Sequence, residues 1–349
     1  MPSADLPIVD LDEPNSHAAL HRGLRETGFF YLRDHAVPPE LLARIREETV
    51  HFFSLPVEQK QACRDNLRGY AALREEDTEA GFGTGEAGEG DLCEKFTMGT
   101  PVSPRERAAA PEYYEPEPAQ RFFLENVFPS PDFAATWHEY FTAMARVSAR
   151  LMQGVRSALG EPPEAWAPVL DKPANTMRFL NYPEVASSSA RMAAHYDDNL
   201  LTLLHQSRTA NGFNSLQVML PGETDWRDVP ANDDFLVVNV GDALMYLTGG
   251  RVVATKHRVA PVPPEKREGS ARTSIAFFHI PNWNCPLRPA LPPGLDQEIG
   301  QANATFGLES LCDPDGTIPY YRLQDRAVAR AGMARVETKD GTPPKSDQE

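Results

Sequence analysis

Cysteine is scarce in this chain: Cys63, Cys93, Cys285 and Cys312 are scattered through 349 residues with no Cys-x-x-Cys pair. That argues against a disulfide framework or a zinc knuckle and suits a reducing cytoplasm, the expected location. Basic residues are in deficit as well, 34 lysines and arginines against 50 acids, for a net charge of −16. Nucleic acids and anionic membrane surfaces both call for a basic patch, so neither is expected as a partner. No apolar run approaches the length of a membrane span, the opening Met1-Pro2-Ser3-Ala4-Asp5 does not have the form of a signal peptide, and no internal repeat is evident. At 41% hydrophobic residues the chain has ample material for a core, as one domain or a closely fused pair, and a monomer suffices for folding.

Short apolar or alternating runs at 177–182, 200–205, 213–218, 235–240, 244–248 and 273–280 read as strands. Turn signals such as Asn211-Gly212, Pro221-Gly222, Gly241-Asp242 and Gly249-Gly250 separate them. Strands at this spacing predict an all-β sandwich or barrel. Residues 6–11 add a first strand, and 17–27 and 39–54 read as amphipathic helices, the second opened by Pro38-Pro39. A long helix over 132–159 carries a core-facing stripe of Phe133, Trp137, Phe141, Met144, Val147 and Leu151. Residues 73–92 and 101–119 read as loops. The second, which contains Tyr113 and Tyr114, is either a lid or a surface excursion.

Three residues in the second half carry the chemistry: His195 and Asp197 in Ala194-His195-Tyr196-Asp197, and His257 62 positions after the first histidine. A His-x-Asp arises easily by chance in an acidic chain with nine histidines, so the context decides. Here the pair lies among strands, where residues two apart share a face and a third ligand can arrive from a distant strand. Two imidazoles and a carboxylate form a facial triad, the signature of non-haem Fe(II) oxygenases. The same alternation in 272–280 sets Arg272, Ser274, Ala276, Phe278 and Ile280 on one face. An arginine in such apolar company fits a cavity wall, where its guanidinium clamps a carboxylate and the Ser274 hydroxyl adds a donor.

The chain resembles the isopenicillin N synthase-like family of 2-oxoglutarate-dependent Fe(II) oxygenases, in its deacetoxycephalosporin C synthase (expandase) branch, along nearly its whole length. The likeness is carried by Glu26-Thr27-Gly28-Phe29-Phe30-Tyr31-Leu32, Thr97-Met98-Gly99-Thr100, Asn126-Val127-Phe128-Pro129-Ser130 and Met177-Arg178-Phe179. To these are added Arg191-Met192-Ala193-Ala194-His195-Tyr196-Asp197, Ala210-Asn211-Gly212-Phe213, Leu247-Thr248-Gly249-Gly250 and Arg272-Thr273-Ser274. The resemblance implies a mainly β fold with flanking helices and a double-stranded β-helix (jelly-roll) core. The implied division is an N-terminal helical region with the first strands over 1–172, the catalytic core over 173–283, a helical or lid segment over 284–334 and a disordered tail over 335–349. It further implies iron on His195, Asp197 and His257, and 2-oxoglutarate on Arg272 and Ser274, with Met192, Thr202 and Tyr182 bordering it. Oxygen is then the co-reactant and ascorbate the reductant in vitro.

Substrate recognition departs from that pattern. Arg178-Phe179-Leu180 stands where the branch has Arg-Phe-Arg, Ile280 replaces a further arginine, and an early arginine pair is reduced to Arg68 after Leu67. A cavity with fewer cationic anchors takes a less anionic small molecule, so ring expansion of penicillin N is not expected. Arg178 and Arg68 remain candidate substrate contacts, with Leu204, Phe278 and Ile280 as apolar wall. Hydroxylation, desaturation and ring formation all stay open. So do two other readings, an ethylene-forming-type enzyme that degrades 2-oxoglutarate itself and a non-catalytic metal-binding jelly roll.

Overall fold

A computed structural model describes residues 2–13, 16–65, 67–82, 88–185, 187–287, 311–315 and 317–330. Within the first half the strands are β1 (Ile8–Asp10), β2 (Phe29–Arg33), β3 (Arg64–Asp65), β4 (Arg68–Ala71) and β5 (Glu94–Gly99). The second half adds β6 (Thr176–Tyr182), β7 (Met192–His195), β8 (Leu201–Gln206), β9 (Leu216–Val218) and β10 (Arg227–Asp228). It continues with β11 (Leu236–Val240), β12 (His257–Val259) and β13 (Arg272–His279). One nine-stranded sheet runs β1-β2-β11-β8-β13-β6-β5-β4-β3, and a four-stranded sheet runs β10-β9-β12-β7. Together they make the jelly-roll core, with a cavity lined by β6, β8, β11 and β13 on one side and β7, β9 and β12 on the other. β1 to β5, from the first 172 residues, are hydrogen-bonded into the same sheet as the later strands.

Period-2 alternation decides which side chains reach that cavity. In β13, Arg272, Ser274, Ala276 and Phe278 face inward. Phe277 faces the other way and meets Phe141 of the Pro131–Ala158 helix at 5.3 Å between ring centroids. That helix starts where Ser130 Oγ accepts the Phe133 N–H at 3.1 Å with Pro131 in its first turn, and it buries the predicted stripe from Phe133 to Leu151. Both faces of β13 are thereby buried, and the arginine at its start sits in an apolar wall.

Gly28 sets the entry to β2. Its φ is +62°, and a Cβ there would lie 2.6 Å from the Val253 carbonyl oxygen, so glycine alone fits the turn. The turn delivers Phe29 edge-on to the His257 ring, with centroids 5.4 Å apart.

Four expectations are corrected. Residues 244–248 do not form a strand; Asp242–Leu247 is a helix closed by Gly249 and Gly250, both at positive φ, because a short buried apolar run suits either state. Residues 101–119 are not a plain loop but hold the helices Pro104–Ala109, Pro111–Tyr114 and Glu117–Gln120. Their prolines open helices instead of breaking them, the first with a capping box between Ser103 and Glu106. Residues 73–92 likewise contain a helix, Thr78–Phe82. The expected 213–218 strand is shorter, Leu216–Val218. The expected tail over 335–349 lies outside the described residues, as does much of the 284–334 segment, of which the Tyr320–Arg330 helix is described.

Candidate active site

His195 ends β7, His257 begins β12, and the two are cross-strand partners. Asp197 follows two residues on, placing its Oδ1 3.5 Å from His195 Nε2 and 3.6 Å from His257 Nε2. All three ligating atoms lie within 4.8 Å of one another, the one such group among the described residues. His195 Nδ1 stands 2.7 Å from the Ala193 carbonyl and His257 Nδ1 3.2 Å from that of Thr255. Each Nδ1 is thereby held by a backbone carbonyl, which turns each Nε2 towards the space beside Asp197 Oδ1 that a metal would occupy. Burial pushes the Asp197 carboxyl up, but His257 and His195 outweigh it and hold the group well below the usual carboxylate range. His257 falls to about 4, through burial and then repulsion by His195, and is a neutral ligand at pH 7. A buried anion between two imidazoles is a divalent-cation site by its chemistry, and the donor set fits iron(II).

Strand register explains what steadies the triad. Asn239 on β11 pairs with Thr202 on β8 and with Phe29 on β2, and Thr202 pairs in turn with Phe278 on β13. One row of the sheet thus carries Phe29, Asn239, Thr202 and Phe278 across the cavity floor. Thr202 Oγ1 and Asn239 Nδ2, the latter at 2.8 Å, both donate to Asp197 Oδ2, so Oδ1 is left for the metal. Sequence reasoning placed Thr202 at the cosubstrate and missed Asn239, whose only signal was a polar residue inside the apolar run Leu236–Val240. Replacing Asn239 with alanine is expected to weaken iron binding about 10–100-fold, as outer-shell losses do, and a metal titration would read it.

Arg272 lies under the same roof. Its guanidinium carbon is 4.8 Å from the centroid of Tyr182, its cross-strand partner, and one nitrogen donates to Gln206 Oε1 at 2.8 Å. Its Nε and the Ser274 Oγ, both buried, have no hydrogen-bond partner, and no carboxylate pairs with Arg272 among the described residues. Two orphaned donors beside a cation are a waiting carboxylate site, since leaving such groups unmet is costly. The residues therefore fit the distal end of 2-oxoglutarate. Met192 and Tyr182 line the same cavity.

The remaining wall comprises Leu204, Phe278 and Ile280, with Thr78 and Phe82 from the short helix, Arg178, Asp198 and Gln324. Arg178 faces the cavity, yet its Nη1 is held by Glu76 at 3.1 Å. Glu76 also takes Lys95 at 2.7 Å, and Lys95 takes Asp91 at 2.6 Å. Arg68 is not in the wall. It is buried and donates to the Phe122 carbonyl at 2.9 Å, pinning the segment that follows the short helices. The 101–119 segment also stays clear of the cavity: the Tyr113 hydroxyl donates to the Lys172 carbonyl, and Trp283 donates to the carbonyl of Tyr113.

Residues 174–281 match the 2OG-Fe(II) oxygenase superfamily, and residues 2–120 match the N-terminal region described for a non-haem dioxygenase in morphine synthesis. Deacetoxycephalosporin C synthase of Amycolatopsis lactamdurans is 33% identical over 88% of this chain and 94% of its own. Deacetoxycephalosporin C hydroxylase of Streptomyces clavuligerus is 29% identical over 80% and 85%. Among solved structures, a 2OG-Fe(II) oxygenase family protein from Caulobacter crescentus superposes with a TM-score of 0.69 at 21% identity, over 94% of this chain and 99% of that one. The chain belongs to the 2OG-Fe(II) oxygenase superfamily and is an enzyme that uses iron(II) and 2-oxoglutarate. No helix among the described residues is long and apolar enough to cross a membrane.

Proposed function

We propose that this enzyme oxidises an unactivated C–H bond of a small molecule of secondary, antibiotic-type metabolism in the cytoplasm, by hydroxylation, desaturation or ring formation. The observation that carries the reading is one cavity that unites the His195, Asp197 and His257 triad with the orphaned donors of Arg272 and Ser274. When bound, iron(II) and 2-oxoglutarate would let dioxygen act as the oxidant here, two of its four oxidising equivalents converting the oxoacid to succinate and carbon dioxide and the other two going to the substrate C–H bond. The chain's own share is positional. Thr202 and Asn239 hold Asp197, the Ala193 and Thr255 carbonyls orient the imidazoles, and Arg272 and Ser274 orient the oxoacid. Apolar side chains at Phe29, Leu204, Phe278 and Ile280 keep water from the reacting carbon.

A mass-spectrometric screen of small molecules with iron, ascorbate and 2-oxoglutarate tests this. Products that gain one oxygen or lose two hydrogens, with matching succinate, are expected. Succinate released equally without any added molecule would instead favour breakdown of 2-oxoglutarate itself. Penicillin N is expected to go unexpanded, because Leu180 and Ile280 line the cavity where the related pattern has arginines.

A further inference from the structure

Among the described residues, the charges around the substrate wall do not balance. Glu76 and Asp91 are matched by Arg178 and Lys95, and Arg121 is matched by Asp325 and donates to the Tyr321 carbonyl at 2.7 Å. Among the described residues, one carboxylate on the cavity surface besides Asp197 is left over. Asp198, next in the chain to Asp197, lines the cavity; its Oδ2 makes no contact with solvent and has no hydrogen-bond partner. It is in no ion pair among the described residues, and the nearby cations Arg178 and Arg121 are already taken. The neighbouring Asp242 adds a second carboxyl without an ion pair among the described residues. Gln324, from the Tyr320–Arg330 helix, lines the same wall.

A buried acceptor with no donor costs free energy unless a ligand meets it. A carboxylate ligand would meet repulsion from Asp198 and find Arg178 engaged, whereas an ammonium group supplies the missing donors and charge. We propose that Asp198 is the substrate-recognition residue of this cavity and that the substrate presents a protonated amine to it. The inference rests on the reading of the triad and Arg272 as the iron and oxoacid groups, and it goes beyond that reading by naming the substrate's head group.

The test is anaerobic titration calorimetry on the full chain loaded with Fe(II) and 2-oxoglutarate. The probes are n-hexylamine, 1-hexanol and hexanoate, which share one tail and differ in head group. The amine is expected to bind about ten-fold or more tightly than hexanoate, with the alcohol between them. Asp198→Asn should weaken the amine about ten-fold, leave the alcohol within about two-fold, and leave 2-oxoglutarate affinity unchanged. Asp198→Ser should do the same, and iron content is measured for both variants. Hexanoate binding as well as the amine, no measurable amine binding, or amine affinity indifferent to both substitutions, as direct ligation of iron would give, overturns the proposal. Loss of iron from both variants also overturns it, by assigning Asp198 to support of the metal loop. Failure of 2-oxoglutarate to bind the wild-type chain would sink the underlying reading instead, and the two failures are distinguishable in one experiment.

Discussion

Asp197→Ala is expected to lose iron and turnover together while keeping its fold. The carboxylate's Oδ1 stands 3.5 Å and 3.6 Å from the two Nε2 atoms, and its Oδ2 is the anchor for Thr202 and Asn239. Removing it takes the only anion from the ligand set, so the loss should exceed the about 10–100-fold that outer-shell changes cost. The fold survives because the side chain faces a cavity and contributes little apolar burial. His195→Ala and His257→Ala should behave alike, the latter also losing an edge contact with Phe29 worth about 1 kcal/mol. Asp197→Glu should fail as well. Its extra methylene moves the oxygen by about 1.5 Å, against a tolerance of about ±0.2 Å in metal–ligand distances. Metal analysis beside circular dichroism checks all four, and near wild-type iron and activity in any of them would remove that residue from the triad.

Arg272→Gln is expected to weaken 2-oxoglutarate by about 2–5 kcal/mol, roughly 30- to 5000-fold, with iron still bound. The guanidinium is buried over Tyr182 and no carboxylate neutralises it among the described residues, so its charge is directed wholly at a ligand. The glutamine keeps a donor but no charge. A shorter 2-oxoacid with an uncharged tail should therefore support turnover relatively better in the variant than in the wild type, a reversal that a merely destabilised protein would not show.

The pair His195 and Asp197 was legible from its two-residue spacing, and Arg272 and Ser274 because alternation along β13 puts them with Ala276 and Phe278; His257 was legible only through the family pattern, since neither β7 nor β12 was among the strands read from the sequence. Cross-strand register was not legible. Asn239 meets Asp197 only because β11 lies beside β8 with Asn239 opposite Thr202, a pairing no local pattern encodes. Arg178 reads as a carboxylate anchor until the fold brings Glu76 to it from 102 residues away. Asp198 reads as one more acid in an acidic chain, and its meaning depends on where the neighbouring cations are spent. Prolines at 104, 111 and 116 read as loop signals, although each sits where a helix starts. The 242–247 helix reads as a strand because all-round burial erases periodicity.

The central claim is that one cavity holds iron on His195, Asp197 and His257 and orients 2-oxoglutarate through Arg272. The most direct measurement is an anaerobic titration of the Fe(II)-loaded chain with 2-oxoglutarate, following the visible charge-transfer band of the chelate in wild type and in Arg272→Gln. A band that saturates in the wild type and needs roughly 30-fold or more 2-oxoglutarate in the variant is the expected result. No band in the wild type, or equal affinity in the two proteins, would contradict the account.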